Sequence, residues 1–295
     1  MPQIRNSFLN EDLYAMIENL KHDEGKINLQ LVSIITPILN GINYLEPCIK
    51  SVLVQSHECV EHIFVDGGST DGTIEMLLKY KAAFPERFTI VLEPDEGPGG
   101  IGEAWNKGLK IAKGSIIGWL GADDMLSGPD SIRSVIDYFE TNPQVYFVHG
   151  RCNYIDELGK VYFTTEVGPV TLESLINEFN PISCPSAFYK KEVVEKVGWL
   201  NDYGNDLDYW IRVAKIYQIH YIQNILSNFR VHKKSITGNL KTRVDAYFDD
   251  LQITKFHGSR YFSRWRLKYY YYFLQLTLPK FVFAPINIIK QILRY

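Results

Sequence analysis

From Leu31 onward, short apolar, β-branched runs alternate with stretches of helical periodicity, and this alternation constrains the fold more than any other feature. Leu31–Thr36 (LVSIIT) is a continuous apolar run stopped by Pro37, the pattern of a strand buried on both faces. Ile42, Leu45, Ile49, Val52 and Leu53 then recur at helical spacing. A strand at His62–Asp66 breaks at Gly67-Gly68, a helix begins near Thr73, and a strand follows at Thr89–Glu93. A helix over Glu103–Ala112, a strand at Ser115–Leu120, a helix from about Asp130 to Glu140 and a strand at Val145–His149 complete the series. Strands separated by 10–15-residue helical stretches predict an α/β fold around a parallel, doubly wound sheet. Ligands of such sheets bind beyond the carboxyl ends of the strands. Asn40, Asp66, Asp95 and the pair Asp123-Asp124 all fall just past predicted strand ends, so acidic and amide groups gather on one edge.

The second half is less regular. Thr171–Glu178, Lys190–Val197 and Asp206–Tyr217 read as helices, and a short strand near His220–Ile222 precedes the polar segment Asn228–Gly238. Leu9, Leu13, Ile17 and Leu20 suggest a short amphipathic helix in an N-terminus without the pattern of a signal peptide. Four scattered cysteines lack metal-site or redox-motif spacing and read as reduced thiols. No apolar run reaches the roughly 18–20 residues that span a bilayer.

The formal net charge of −3 hides an uneven distribution. Residues 251–295 hold eight Lys/Arg and no acid, leaving 23 of the 31 basic residues against all 34 acidic ones. The same tail holds 12 of the 40 aromatic residues, including the run Tyr269-Tyr270-Tyr271-Tyr272-Phe273. Tyrosines and tryptophan beside Lys/Arg suit a membrane interface, and Phe281–Leu293 suits a short interfacial helix. The alternative is that these aromatics pack back on the core or form a dimer contact. No recognised RNA- or DNA-binding module accompanies the tail, so a nucleic-acid partner is not expected.

Asp123-Asp124 directly follows a buried strand (IIGWLGADD). Adjacent carboxylates repel unless a cation or donor compensates, and hard oxygen ligands suit Mg or Mn. Taken alone, the pair could equally be an exposed turn ahead of the helix after Pro129. Gly97–Gly102 spells G-x-G-x-x-G after a strand, a formal dinucleotide-binding match. Pro94-Asp95-Glu96 separates that strand from the first glycine and would put negative charge beside a pyrophosphate, so a mobile loop is the better reading.

LVSIITPILN, HIFVDGGSTDGT, LEPDEG and EAWNKGLKIAKGSIIGWLGADD, in that order, resemble the family 2 glycosyltransferases of the GT-A fold, and the resemblance runs from Leu31 to about Gly238. It implies a Rossmann-like, mostly parallel central sheet with flanking helices as a catalytic domain over 31–240. A helical extension (1–30) would precede it, and a helical, aromatic-rich basic tail (241–295) would follow. The closest likeness is to bacterial enzymes of surface-polysaccharide synthesis, O-antigen or capsule, which move a sugar from a nucleotide donor with inversion. By matching position, Thr36, Pro37 and Asn40 would line the nucleoside pocket and Asp66 would contact the nucleobase. Asp95 would sit near base or ribose, Asn106 would face the donor, and Asp123 would bind ribose or sugar. Asp124 would hold a divalent metal, Mn or Mg, with His232 completing its shell. Arg230 and Lys233, in FRVHKKSITG, would neutralise phosphate charge. Asp206, six residues before Arg212, matches the family's catalytic base, with Asp208 as its rival.

The implied donor is a UDP-sugar and the implied acceptor a hydroxyl of a glycan or lipid-linked chain. The enzyme would work in the cytoplasm, peripheral at the inner face of the plasma membrane, and could form a homo-oligomer. Two other readings compete: a non-catalytic sugar-binding or scaffold module, and an NAD-dependent enzyme using Gly97–Gly102.

Overall fold

The computed structural model describes residues 30–93, 100–201, 205–260 and 263–277. The expected N-terminal helix, Asp95 and the segment 281–293 lie outside them. The first half runs β1 (Val32–Ile38), α1 (Ile42–Leu53), β2 (Val60–Asp66), α2 (Thr73–Ala83), β3 (Phe88–Leu92), α3 (Gly100–Ile111), β4 (Ile116–Trp119), β5 (Met125–Leu126) and α4 (Ser131–Thr141). The second half runs β6 (Phe147–Ile155), β7 (Val161–Thr164), α5 (Leu172–Asn177), β8 (Ala187–Lys190), α6 (Glu192–Val197), α7 (Asp206–Ala214), β9 (Ile219–Arg230), α8 (Leu240–Phe256) and α9 (Arg264–Thr277).

One sheet takes the order β3-β2-β1-β4-β8-β6-β9-β5, with β7 paired to β6. The β3-β2-β1-β4 half is parallel, as its apolar runs predict. The other half is mixed, because β8 pairs antiparallel with both β4 and β6. Four residues (AFYK) are too short a run to announce themselves as a strand, yet they join the two halves of the sheet. Strand β1 also continues past the predicted stop at Pro37. Its pairing with β4 ends at Ile35, so the ring falls where no neighbour on that side needs an N–H, while pairing with β2 runs on to Asp66. Strand β9 extends to Arg230, well beyond the predicted short strand, following β6 through two register shifts that disturb its period-2 signal.

The core lies on both faces of the sheet. On one face, Trp105 of α3 stacks on Trp119 of β4 at 4.8 Å, and Trp119 meets Trp210 of α7 at 5.1 Å. Both Trp105 and Trp210 are buried core residues. Helix α3 lies close against β1 because Gly108 has no side chain; a Cβ there would run into Ile35. Beyond the sheet, α8 and α9 pack on each other, with Tyr247 and Tyr272 stacked at 5.0 Å. Leu251 and Tyr247 of α8 join the core around α7. This part of the aromatic tail therefore packs back on the protein. Among the described residues no helix is long and apolar enough to cross a membrane.

Candidate active site

The carboxyl ends of β1, β2 and β3 open onto a cleft of about 210 Å³ lined by Pro37, Val65, Gly67, Glu93, Ala104 and Lys107, among others. Asp66 ends β2 fully buried; its Oδ1 accepts the N–H groups of Gly68 (2.9 Å) and Ser69 (2.8 Å). Its Oδ2 is buried without a protein partner, an acceptor left open at the cleft end of the strand. Asn40 adopts a left-handed backbone (φ 53°) and accepts the Thr70 N–H through Oδ1 at 2.9 Å. Its own N–H donates to Ser69 Oγ, so Asn40 ties the loop after β1 to the loop after β2. Thr36 points into the sheet instead, with Oγ1 2.8 Å from His62 Nε2. Asn106 spends both ends of its amide on the Leu200 backbone, each at 3.0 Å, and thereby anchors the approach to α7.

At the centre of the sheet edge, Asp124 is buried and its Oδ1 accepts the Arg230 N–H at 2.8 Å. Burial first, and the Asp123 charge second, push the Asp124 carboxyl well above the usual carboxylate range. Asp123 Oδ2 lies 3.0 Å from His232 Nε2. The remaining oxygens, Asp124 Oδ2 and Asp123 Oδ1, converge beside Gly121, 2.7 and 3.0 Å from where a Cβ would stand. A side chain at 121 would fill this cradle. The Arg230 guanidinium is bound to the carbonyls of Asp123, Asp156 and Glu157 and lies over the Tyr44 ring at 4.8 Å, where it ties β9 to the acidic turn. Tyr44 also packs on His232 at 4.8 Å. Lys233 is exposed.

A larger cavity of about 680 Å³ lies between the β6–β7–β9 region and helices α7, α8 and α9. Its walls carry Tyr154, Tyr162, Phe229, Tyr247 and Tyr272, with Asp206 and Asp250 among them. Burial raises the Asp206 carboxyl to about 6. Asp206 opens α7 directly behind the cap residue Asn205. Asp208, the rival base, is committed elsewhere: Arg212 Nε donates to it at 2.8 Å and His257 Nε2 stands 2.9 Å from its other oxygen. The half-buried Cys184 thiol, another wall residue, is pushed up by desolvation first and then by both Asp206 and Asp124, so it lies in the field of both carboxylates.

The structure thus gathers Pro37, Asn40 and Asp66 at one end, Asp123, Asp124, Arg230 and His232 at the centre, and Asp206 in the adjoining cavity. Thr36 and Asn106 direct their polar atoms away from the cleft, into the sheet and onto the Leu200 backbone. Sequence reasoning passed over Tyr44, Asp250 and Lys268, which no motif marks. Asn205 did carry a signal, an amide residue just ahead of an amphipathic run, the pattern of an N-cap.

For a divalent cation, two hard carboxylate oxygens in one cradle fit Mg or Mn, which take few protein ligands and complete their shell with phosphates and water. Among the described residues no three His, Cys, Asp or Glu side chains form a closed metal cage.

A model of the family "Glycosyl transferase family 2" matches residues 33–198, more than half of the chain. An uncharacterized glycosyltransferase of Rickettsia typhi is 27% identical over 236 residues, covering 74% of this chain and 69% of that protein. A putative teichuronic acid biosynthesis glycosyltransferase of Bacillus subtilis is 40% identical over 94 residues, 32% of this chain and 36% of that protein. Among solved structures, residues 1–349 of S. aureus TarS in complex with UDP-GlcNAc match with a TM-score of 0.60 at 14% identity, covering 74% of this chain and 66% of that one. A mannosyltransferase from Pyrobaculum calidifontis in complex with GDP-Man and Mn2+ matches at 0.56 and 18% identity, covering 82% and 71%. At such identities these structures share the fold.

Proposed function

We propose that this chain, which belongs to glycosyl transferase family 2, moves a sugar from a nucleotide donor, best read as a UDP-sugar, to an acceptor hydroxyl with inversion. The observation that carries the reading is the placement of three separate groups along one edge of the sheet. A buried, unpartnered acceptor oxygen on Asp66 stands at the end of β2 beside the cleft, a two-carboxylate cradle stands at the centre, and a raised carboxylate lies in the cavity beyond.

In this reading Pro37 lines the nucleoside cleft, Asn40 ties together the two loops beside it, and Asp66 Oδ2 accepts a nucleobase N–H. Asp124 Oδ2 and Asp123 Oδ1 would hold a divalent cation at the sugar-diphosphate end, while His232, expected to complete its shell, has Nε2 on the other Asp123 oxygen and Nδ1 on the Lys234 N–H and so steadies Asp123 instead. When bound, the cation would act as a Lewis acid for the diphosphate. Arg230 keeps the cradle in place: its backbone N–H holds Asp124 while its side chain clamps the Asp123 carbonyl. Asp206 takes the proton of the acceptor hydroxyl, and its value of about 6 makes it ionised yet basic at neutral pH. Asp208, neutralised by Arg212, is structural. The aromatic walls of the larger cavity suit a sugar acceptor whose apolar ring faces stack on tyrosine.

The B. subtilis relative supports a role in building surface polysaccharide, and the basic tail suits an acceptor presented at the cytoplasmic face of a membrane. The test is release of nucleoside diphosphate from UDP-GlcNAc, UDP-Glc and GDP-Man with Mn2+ present. Turnover lost on chelation and in Asp206→Asn supports an enzyme. Nucleotide-sugar binding without any turnover would favour the sugar-binding module instead.

A further inference from the structure

Asp250 belongs to α8, beyond the residues that match the family model, yet it stands in the wall of the cavity that holds Asp206. The two are joined by one side chain. Asn205 Oδ1 accepts the N–H groups of Leu207 (2.9 Å) and Asp208 (3.4 Å), which caps α7. That orientation turns Asn205 Nδ2 the other way, where it donates to Asp250 Oδ1 at 3.0 Å. Rotating the amide would break both sets of bonds at once. Asp206 is the first helical residue behind this cap, so its direction depends on how firmly Asn205 is held.

We propose that Asp250 is a positioning residue for the reaction at Asp206: through the Asn205 amide it fixes the first turn of α7, and it brings a second carboxylate to the acceptor side of the base. The inference rests on the reading of Asp206 as that base. A neutral amide at position 250 could accept the Asn205 hydrogen bond equally well, and it would not carry the cost of a carboxylate in an aromatic cavity. The charge therefore calls for a role beyond the cap. Burial pushes Asp250 up to about 7, the Asn205 bond lowers it, Asp206 and Asp249 raise it, and Lys268 of α9 lowers it. Other ionisable groups in the same walls are Arg243 of α8, Glu166, Cys184 and the tyrosines 154, 162, 247 and 272. The Asp206 charge is thus one of the groups that hold the Asp250 proton on. Near neutrality the base is ionised while Asp250 still holds part of its proton, which limits the charge facing the acceptor.

Three variants of the full chain separate these effects: Asp250→Asn keeps the bond to Asn205 and removes the charge, Asp250→Ala removes both, and Asp206→Asn is the reference. Two readouts apply. The first is carbon NMR of chain labelled at the aspartate carboxyl carbons, titrated from pH 4 to 9. The second is the pH dependence of nucleoside diphosphate release from UDP-GlcNAc, UDP-Glc and GDP-Man with Mn2+, alongside the Kd for UDP and GDP. The expected result is that Asp206→Asn moves the remaining Asp250 step from about 7 toward acid. Asp250→Ala should lower kcat roughly 10-fold or more with nucleotide Kd unchanged. Asp250→Asn should restore most of kcat but lose the upper step from the pH profile. An Asp250 titration indifferent to Asp206→Asn, or wild-type kcat and pH profile in Asp250→Ala, would overturn the proposal. Wild-type turnover in Asp206→Asn would overturn the base reading itself, and this proposal with it.

Discussion

Replacing Asp206 by asparagine should abolish turnover and at the same time stabilise the protein in a pH-dependent way. The Asp206 carboxyl is raised from its ordinary 3.8 to about 6 by burial, so the folded state disfavours the charged form. The unfolded chain gives up this proton at lower pH, so ionisation progressively favours unfolding as pH rises from about 4 to 6. Above about 6 the penalty is complete. The difference between 3.8 and about 6, at 1.36 kcal/mol per unit, corresponds to about 3 kcal/mol of folding free energy forgone at pH 8. At pH 4, where folded Asp206 is protonated, the same expression gives only about 0.5 kcal/mol. Asparagine has nearly the same shape and no charge, so Asp206→Asn should recover these amounts. Urea unfolding of wild type and variant at pH 4 and pH 8 reads the difference directly. An equal ΔΔG at both pH values, or a less stable variant at pH 8, would refute the claim that Asp206 is held as a destabilised carboxylate.

Turnover should rise about tenfold per pH unit up to a limb near pH 6, since only ionised Asp206 accepts a proton, and then level apart from a smaller step near 7 set by Asp250; a flat profile between pH 4.5 and 7 would contradict this. Asp66→Asn should weaken UDP binding by about 10- to 100-fold in calorimetry, because it replaces the open acceptor with a donor while a side-chain oxygen remains for Gly68 and Ser69. Arg230→Met should cost about 3 kcal/mol in urea unfolding, since it strips hydrogen bonds from the carbonyls of Asp123, Asp156 and Glu157 in a buried setting. If the basic tail meets a membrane, the full chain should sediment with anionic vesicles and be released by high salt; equal binding to neutral vesicles would count against an electrostatic contact.

Much of the nucleotide-facing half was legible because its physics is local. A strand buried on both faces tends toward a continuous apolar run, as in β4 and most of β1, and in β2 the run IFV carries the signal; the polar residues after such runs fall at the sheet edge. Asp66, Asp123 and Asp124 stand where that logic puts them. What escaped depends on long-range pairing. The short strand β8 is strand-like only because β4 and β6 flank it, and its antiparallel pairing with both is what joins the parallel half to the mixed half. The reach of β9 to Arg230 depends on its register with β6, which a polar run such as SNFR does not reveal. Arg230 reads from sequence as a phosphate ligand, but its length lets it clamp three carbonyls across the fold, a use that no local pattern encodes. Asp250 sits in an Asp-Asp pair on a helix with no clear apolar stripe and looks like any solvated face until α8 packs beside α7.

A nucleotide-sugar site organised around Asp124 is probed most directly by calorimetric titration of UDP and GDP with and without Mn2+. One nucleoside diphosphate should bind wild type at least about tenfold more tightly with Mn2+ than after chelation, a difference of roughly 1.4 kcal/mol, and Asp124→Ala should remove this dependence. Failure of both nucleotides to bind, or an affinity unchanged by Mn2+ and by Asp124→Ala, would contradict it.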